Sequence, residues 1–192
     1  MNAIRAFIAI GLPEDLRHQL GDIIDTLKKK TPRAVRWVPS ENIHLTLKFL
    51  GNVSPTNLNT LTQMLRQEAL RHTPMQFSVG GLGAFPSRQR PRVIWVGVHA
   101  PPALIELQRC VDQETEALGY PMEEREFSPH LTLGRVAQNV TPQELRQIAE
   151  ALYNTQVGEL GVVRVTEIRL YRSDLQPGGS VYTPLFTAPL KR

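Results

Sequence analysis

An apolar run, Ala6-Phe7-Ile8-Ala9-Ile10-Gly11-Leu12, lies near the start of the chain and reads as a strand over 3–12. Pro13-Glu14-Asp15 follows as a helix start, and Lys28-Lys29-Lys30 places positive charge where the end of a helix favours it. Short strands are predicted around 35–38 and 43–50, then a helix over about 54–72. Strands near 76–82 and 92–98 flank the loop 83–91, and Pro101-Pro102 opens a helix over 103–118. A strand over about 128–136 leads to a helix opened by Thr141-Pro142-Gln143-Glu144, with Thr141 as N-cap. Closing strands near 162–171 and 181–188 are joined through Pro177-Gly178-Gly179. Hairpins set between helices favour α+β over a doubly wound parallel sheet. No linker or low-complexity stretch divides residues 1–192, which therefore read as a single domain.

Composition narrows the classes. A 41% apolar chain of 192 residues builds a core without disulfide or metal staples, and its charges are too dispersed for a disordered tail. Net charge is only +4, but 17 arginines stand against 5 lysines. Guanidinium grips phosphate through two parallel hydrogen bonds, which ammonium does not. Most of these arginines are still expected in solvent or in ion pairs. Cys110, the one cysteine, excludes an internal disulfide and fits a reducing cytoplasm. Without an activating neighbour it reads as buried filler. The first apolar run is too short for a membrane span and lacks a signal-peptide cleavage site. No glycine-rich phosphate loop is present.

The candidate chemistry comes from a repeat. His44-Leu45-Thr46-Leu47 recurs as His130-Leu131-Thr132-Leu133, once in each half. On a strand His44 and Thr46 share one face while Leu45 and Leu47 share the other, and the second copy follows suit. A pseudo-two-fold axis relating the halves would bring both polar pairs to one cleft. Displacement at phosphorus needs one group to take a proton and another to give one, and imidazole does either near neutral pH. The threonine hydroxyls suit the non-bridging phosphate oxygens. His18, His72 and His99 lack this context and read as ordinary. Each strand offers a metal only one histidine and a threonine, so no metal site and no cofactor is expected.

At these residues the sequence resembles the 2H phosphoesterase superfamily, and within it the bacterial and archaeal RNA 2′,3′-cyclic phosphodiesterases, also called 2′–5′ RNA ligases. The resemblance rests on Asn42 to Gly51 and Phe127 to Arg135, supported by Arg5 to Ile10, Val93 to Gly97 and Leu170 to Ser173. It implies two pseudo-symmetric lobes, each an antiparallel sheet backed by helices, with the active site between them. It implies an enzyme that hydrolyses ribose 2′,3′-cyclic phosphate ends of RNA to 2′-phosphates, with reversible 2′–5′ ligation as a weaker activity of the same site; a cytoplasmic monomer is expected. By analogy His44 is the general acid and His130 the general base, while Thr46, Thr132 and Arg135 bind phosphate. The alternatives are 2′–5′ oligonucleotides or a non-RNA cyclic phosphate as substrate, or a non-catalytic nucleotide-binding module.

Three expectations depend on strand parity or loop position. Strict alternation from His130 turns Arg135 away from the cleft, so its role requires a bulge near Gly134. Lys48 has the parity of His44, which puts it on RNA backbone or in solvent. Arg88, Arg90 and Arg92, in or beside the 83–91 loop, are candidates for RNA phosphates.

Overall fold

The computed structural model describes residues 3–176 and 179–191. Its strands are β1 (Ile4–Ile10), β2 (Val35–Trp37), β3 (Leu45–Val53), β4 (Met75–Phe85), β5 (Val93–His99), β6 (His130–Val136), β7 (Glu159–Val165), β8 (Glu167–Gln176) and β9 (Gly179–Pro189). The helices are α1 (Glu14–Lys30), α2 (Leu58–Ala69), α3 (Pro102–Glu116) and α4 (Pro142–Tyr153). Local chemistry places the helix ends as expected. Glu14 and Asp15 occupy the first turn of α1 and three lysines its last. Thr141 caps α4 in a reciprocal capping box with Glu144.

The fold is α+β with two lobes. The strands run β7-β4-β5-β6-β3-β1-β8-β9, with β2 added at β6, and every pairing is antiparallel. One lobe holds β3, β1, β8 and β9, packed by α2 and α3; the other holds β6, β5, β4 and β7, with α1 and α4 against it. The lobes meet where β3 pairs with β6 at Leu45 and Leu131, both fully buried. The two innermost strands are thus β6, which begins at His130, and β3, which follows directly on His44. Among the described residues no helix is long and apolar enough to cross a membrane.

One predicted strand needs correction. The run over 162–171 is two strands, β7 and β8, broken at Thr166 and sent to opposite ends of the sheet. Val163 and Val165 are buried in β7, but Ile168 and Leu170 in β8. That change of parity marks the break, although no glycine or proline does. Residues 177 and 178 of the predicted closing turn lie outside the described residues.

Candidate active site

The register at the lobe junction organises the site. Leu45 faces Leu131 in an antiparallel pair, so His44 falls opposite Thr132 and His130 opposite Thr46. Each imidazole therefore sits beside the other copy's hydroxyl. The two histidines occupy diagonal positions, a relation that spaces residues by about 7–8 Å. All four side chains lie on the face opposite the buried leucines.

Both imidazoles are fixed in the same way. Nδ1 of His44 lies 2.7 Å from the Asn42 carbonyl, and Nδ1 of His130 lies 2.6 Å from the Ser128 carbonyl. A carbonyl only accepts, so each Nδ1 carries the proton and each Nε2 is left for chemistry. Asn42 is itself anchored, its side-chain amide donating to the Ser180 carbonyl at 2.7 Å.

A bulge follows each histidine–threonine pair. In β3, Thr46 pairs with Ala9 and Lys48 with Ile8, so Leu47 is the extra residue. In β6, Thr132 pairs with Trp95 and Gly134 with Ile94, so Leu133 is extra. The second bulge reverses parity and brings Arg135 onto the face of Val93, Trp95 and the histidines. The first sends Lys48 the other way. Its side chain is 1% exposed, donating to Asp112 of α3 and to the Pro121 carbonyl. Lys48 is therefore in neither solvent nor the cleft, because alternation was broken one residue earlier.

Aromatic walls, unassigned from the sequence, complete the site. Phe7 stacks on His44 at 4.6 Å between ring centroids, and Tyr182 meets it edge-on at 5.2 Å. Tyr171 stacks beside Phe7 at 5.2 Å and lies 6.3 Å from His44. On the other side Phe85 meets His130 edge-on at 4.9 Å, and Trp95 is tilted toward it at 6.3 Å. Trp95 lies over Gly83, where a Cβ would overlap the indole. The signal for Phe7, Phe85, Trp95 and Tyr171 was their odd-residue parity on β1, β4, β5 and β8, which, like the place of Tyr182 on β9, is legible only once strand partners are known.

Burial shapes the acid–base character. Desolvation pushes His44 down to about 4, against an opposing pull from the Asn42 carbonyl. His130 is also lowered, by desolvation first, with the Ser128 carbonyl opposing and the charge of Arg135 adding to it. Both imidazoles are thus neutral near pH 7, and an arriving phosphate anion favours protonating them.

Other candidates serve elsewhere. Arg88 donates to the Leu82 carbonyl and lies over Tyr153, while Arg92 donates to the Ala137 carbonyl at 3.2 Å. Both therefore hold the 86–92 turn region together; the side chain of Arg90 is exposed. Among the described residues Glu68, His72 and Cys110 gather ligand atoms within 4.8 Å of one another, between α2 and α3. Glu68 is already paired with Arg71 and in hydrogen-bond contact with His72, and burial with nearby carboxylates pushes the Cys110 thiol up to about 11. This cluster is an ion-pair group on the helical side of the sheet. Around the two imidazoles the donors are hydroxyls, a guanidinium and aromatic rings.

Two consecutive segments, 10–95 and 96–182, each match the family described as LigT like Phosphoesterase. The chain is 38% identical over 182 residues to the RNA 2′,3′-cyclic phosphodiesterase of Methanothermobacter thermautotrophicus, covering 95% of this chain and 96% of the relative. It is 33% identical to the enzyme of the same name from Thermotoga maritima, over 95% and 94% of the two chains. Among solved structures, Escherichia coli LigT complexed with 3′-AMP superposes with a TM-score of 0.77 at 30% identity, each chain covered to 99%.

Proposed function

The chain belongs to the LigT-like phosphoesterase family, and on that premise we propose that it is an RNA 2′,3′-cyclic phosphodiesterase working through His44 and His130. Water attacks phosphorus and gives its proton to Nε2 of His130. The P–O3′ bond breaks, and O3′ takes a proton from Nε2 of His44, leaving a 2′-phosphate and a 3′-hydroxyl. Thr46, Thr132 and Arg135 hold the non-bridging oxygens, where negative charge builds up in the transition state. With an RNA 5′-hydroxyl in place of water, the same site makes a 2′–5′ linkage.

The register at Leu45 and Leu131 carries this reading, because it sets two Nδ1-locked imidazoles diagonally beside two hydroxyls. Two features of the surroundings support this assignment of roles. Arg135 disfavours a proton on His130, as suits a base. His44 faces aromatic rings, which stabilise an imidazolium once phosphate has raised its proton affinity. The lobes share one continuous sheet and act as one bilobal unit, which we read as a monomer, and lone Cys110 suits the cytoplasm.

The test is incubation with an oligonucleotide ending in a 2′,3′-cyclic phosphate, with and without EDTA. A 2′-phosphate product at undiminished rate is expected. A 3′-phosphate would reverse the leaving-group assignment, and EDTA-abolished activity restored by zinc or manganese would overturn the two-histidine scheme.

A further inference from the structure

The place beside each histidine is filled in one lobe and open in the other. Extending the β1–β3 register one residue past Ile10 and Leu45 sets Gly11 opposite His44. A Cβ on Gly11 would meet the Arg169 guanidinium and the Tyr171 hydroxyl, both at 3.5 Å, and Arg169 is itself paired with Glu167. Side chains therefore roof that glycine. In the other lobe Gly97 stands opposite His130. Apart from the edge of the Trp95 ring, a Cβ there would meet only backbone, the Gly80 carbonyl oxygen at 2.8 Å and that of Gly81 at 4.0 Å. Two bulges at one point of β4 open the surface beyond. Gly81 is extra against β5, and Leu160 of β7 is extra against β4. The resulting depression measures about 300 Å³ and is lined by Ser78, Val79, Gly80, Gly81, His99 and Glu159. Ser78 pairs with His99, Gly80 pairs with both Gly97 and Glu159, and β5 alternates from Gly97 to His99, so these positions share the face of His130. The described lining offers a carboxylate, a hydroxyl, an imidazole and carbonyls but no lysine or arginine, which suits hydroxyl donors rather than phosphate.

The course of displacement assigns an occupant. Attacking and leaving oxygens lie roughly in line on opposite sides of phosphorus, so the oxygen activated by His130 arrives from the His130 lobe. Neighbouring strands stand about 4.8 Å apart, which puts Gly80, two strands from His130, roughly 10 Å away. A nucleoside whose 5′ oxygen is at His130 spans that interval with its ribose. We propose that the depression binds the nucleoside carrying the attacking 5′-hydroxyl in 2′–5′ ligation, its ribose hydroxyls donating to the Glu159 carboxylate. This inference rests on the phosphodiesterase reading and on His130 as the group that activates the attacker. In that step O5′ gives its proton to Nε2 of His130 and bonds to phosphorus, while the P–O3′ bond breaks and O3′ takes a proton from Nε2 of His44. Water needs no such support, so hydrolysis does not use the depression.

The experiment follows two reactions in the wild-type protein and in Glu159→Ala. One is hydrolysis of adenosine 2′,3′-cyclic phosphate. The other is cleavage of 2′–5′-linked adenylyl adenosine to that cyclic phosphate and adenosine, which is ligation run backward and seats the second nucleoside in the depression. Glu159→Ala is expected to lower kcat/KM for the dinucleotide by roughly three- to thirty-fold, and to leave hydrolysis of the mononucleotide unchanged. A dinucleotide whose second ribose lacks both hydroxyls should be cleaved more slowly by the wild-type protein and lose nothing more in Glu159→Ala. Equal losses on both reactions, an undiminished dinucleotide rate, or a full loss that persists without the ribose hydroxyls would overturn the assignment. A wild-type protein that hydrolyses the cyclic phosphate but does not break the 2′–5′ linkage would overturn it while leaving the phosphodiesterase reading intact. Inertness on both substrates would take that reading down as well.

Discussion

In one lobe His44 is enclosed by Phe7, Tyr171 and Tyr182, while in the other His130 meets Phe85 and Trp95 on its sides and the charge of Arg135 nearby. The backbone beneath is the same in both. Each histidine bonds a carbonyl two residues back, each threonine precedes a one-residue bulge, and each bulge re-aims the side chains beyond it. Even the satisfaction of the bulges differs. The Leu133 carbonyl accepts from the Val38 backbone at 2.8 Å, whereas that of Leu47 accepts from the Gln108 side chain at 3.3 Å. A duplicated scaffold sets where the two imidazoles stand; the side chains laid on it give each a different surrounding, and the proposed division into acid and base rests on that difference.

The largest effects should come from the imidazoles. His44→Ala and His130→Ala should each lower kcat/KM by about 10²–10⁴-fold, or roughly 3–5 kcal/mol of transition-state stabilisation. The double mutant should lose far less than the product, because both groups serve one proton cycle. A substrate carrying sulfur at the 3′ position separates the roles, since a thiolate leaves without a proton. It should restore much of the activity of His44→Ala and little of His130→Ala. Rescue of the His130 variant instead would exchange the two assignments.

The next contrast is structural. Directly after the bulges, one lobe buries Lys48 against Asp112, and the other places Gly134 beneath Trp37 and Val35. Lys48→Ala leaves a buried carboxylate unpaired and should destabilise the fold by about 3–5 kcal/mol, whereas replacing both partners with apolar residues of similar volume should cost much less. Gly134→Ala should also destabilise, because a Cβ there would stand 2.8 Å from the Trp37 ring. Urea unfolding of the single and paired variants measures both. Equal losses for Lys48→Ala and the paired replacement would show that packing, not the unpaired charge, is what matters.

These positions also show what the sequence made legible. The repeat exposed the chemistry because parity over three residues survives any fold that keeps them extended. Parity failed one residue later, at Leu47 and Leu133, because a bulge is set by the partner strand and nothing in Leu-Thr-Leu announces it. Gly134 hinted at the bulge that re-aims Arg135; Lys48 gave no such hint and reads from its own strand as an exposed or RNA-facing cation. The break at Thr166 was encoded in the shift of apolar positions from 163 and 165 to 168 and 170, though the density of β-branched residues (Val162, Val163, Val165, Thr166 and Ile168) masked it. The aromatic walls needed the pairing of β1 with β8 and of β4 with β5, which is long-range information.

Arg135 should give a middling effect with a diagnostic shape. Losing hydrogen bonds to a charged phosphate typically costs about 1.5–3 kcal/mol, so Arg135→Ala should lower kcat/KM roughly ten- to a hundred-fold. Both imidazoles lie below their ordinary value in the free protein, so the wild-type kcat/KM profile should peak below about pH 6.5. The kcat profile should lie at higher pH, because bound phosphate favours the protonated rings. Without Arg135 a proton on His130 becomes less unfavourable, so the limb set by His130 should move to higher pH while that set by His44 stays. A simple drop with neither limb displaced would limit Arg135 to gripping phosphate.

The smallest effects test whether the comparison is drawn along the right axis. Thr46 and Thr132 each supply a hydroxyl and no proton transfer, so Thr46→Ala and Thr132→Ala should cost less than either histidine. Their coupling carries the information. The register sets Thr132 beside His44 and Thr46 beside His130, whereas the threonine of a histidine's own tetrapeptide lies two residues further along the strand. If phosphate is held at the junction, each histidine shares it most closely with the hydroxyl opposite. Double-mutant cycles on kcat/KM should then give coupling of about 0.5–3 kcal/mol between residues acting in one network. It should be larger for His44 with Thr132 and for His130 with Thr46 than for pairs within one tetrapeptide. Coupling confined to each tetrapeptide would mean that the lobes work as separate halves, and the pairing at Leu45 and Leu131 would then be a hinge between two sites rather than the centre of one.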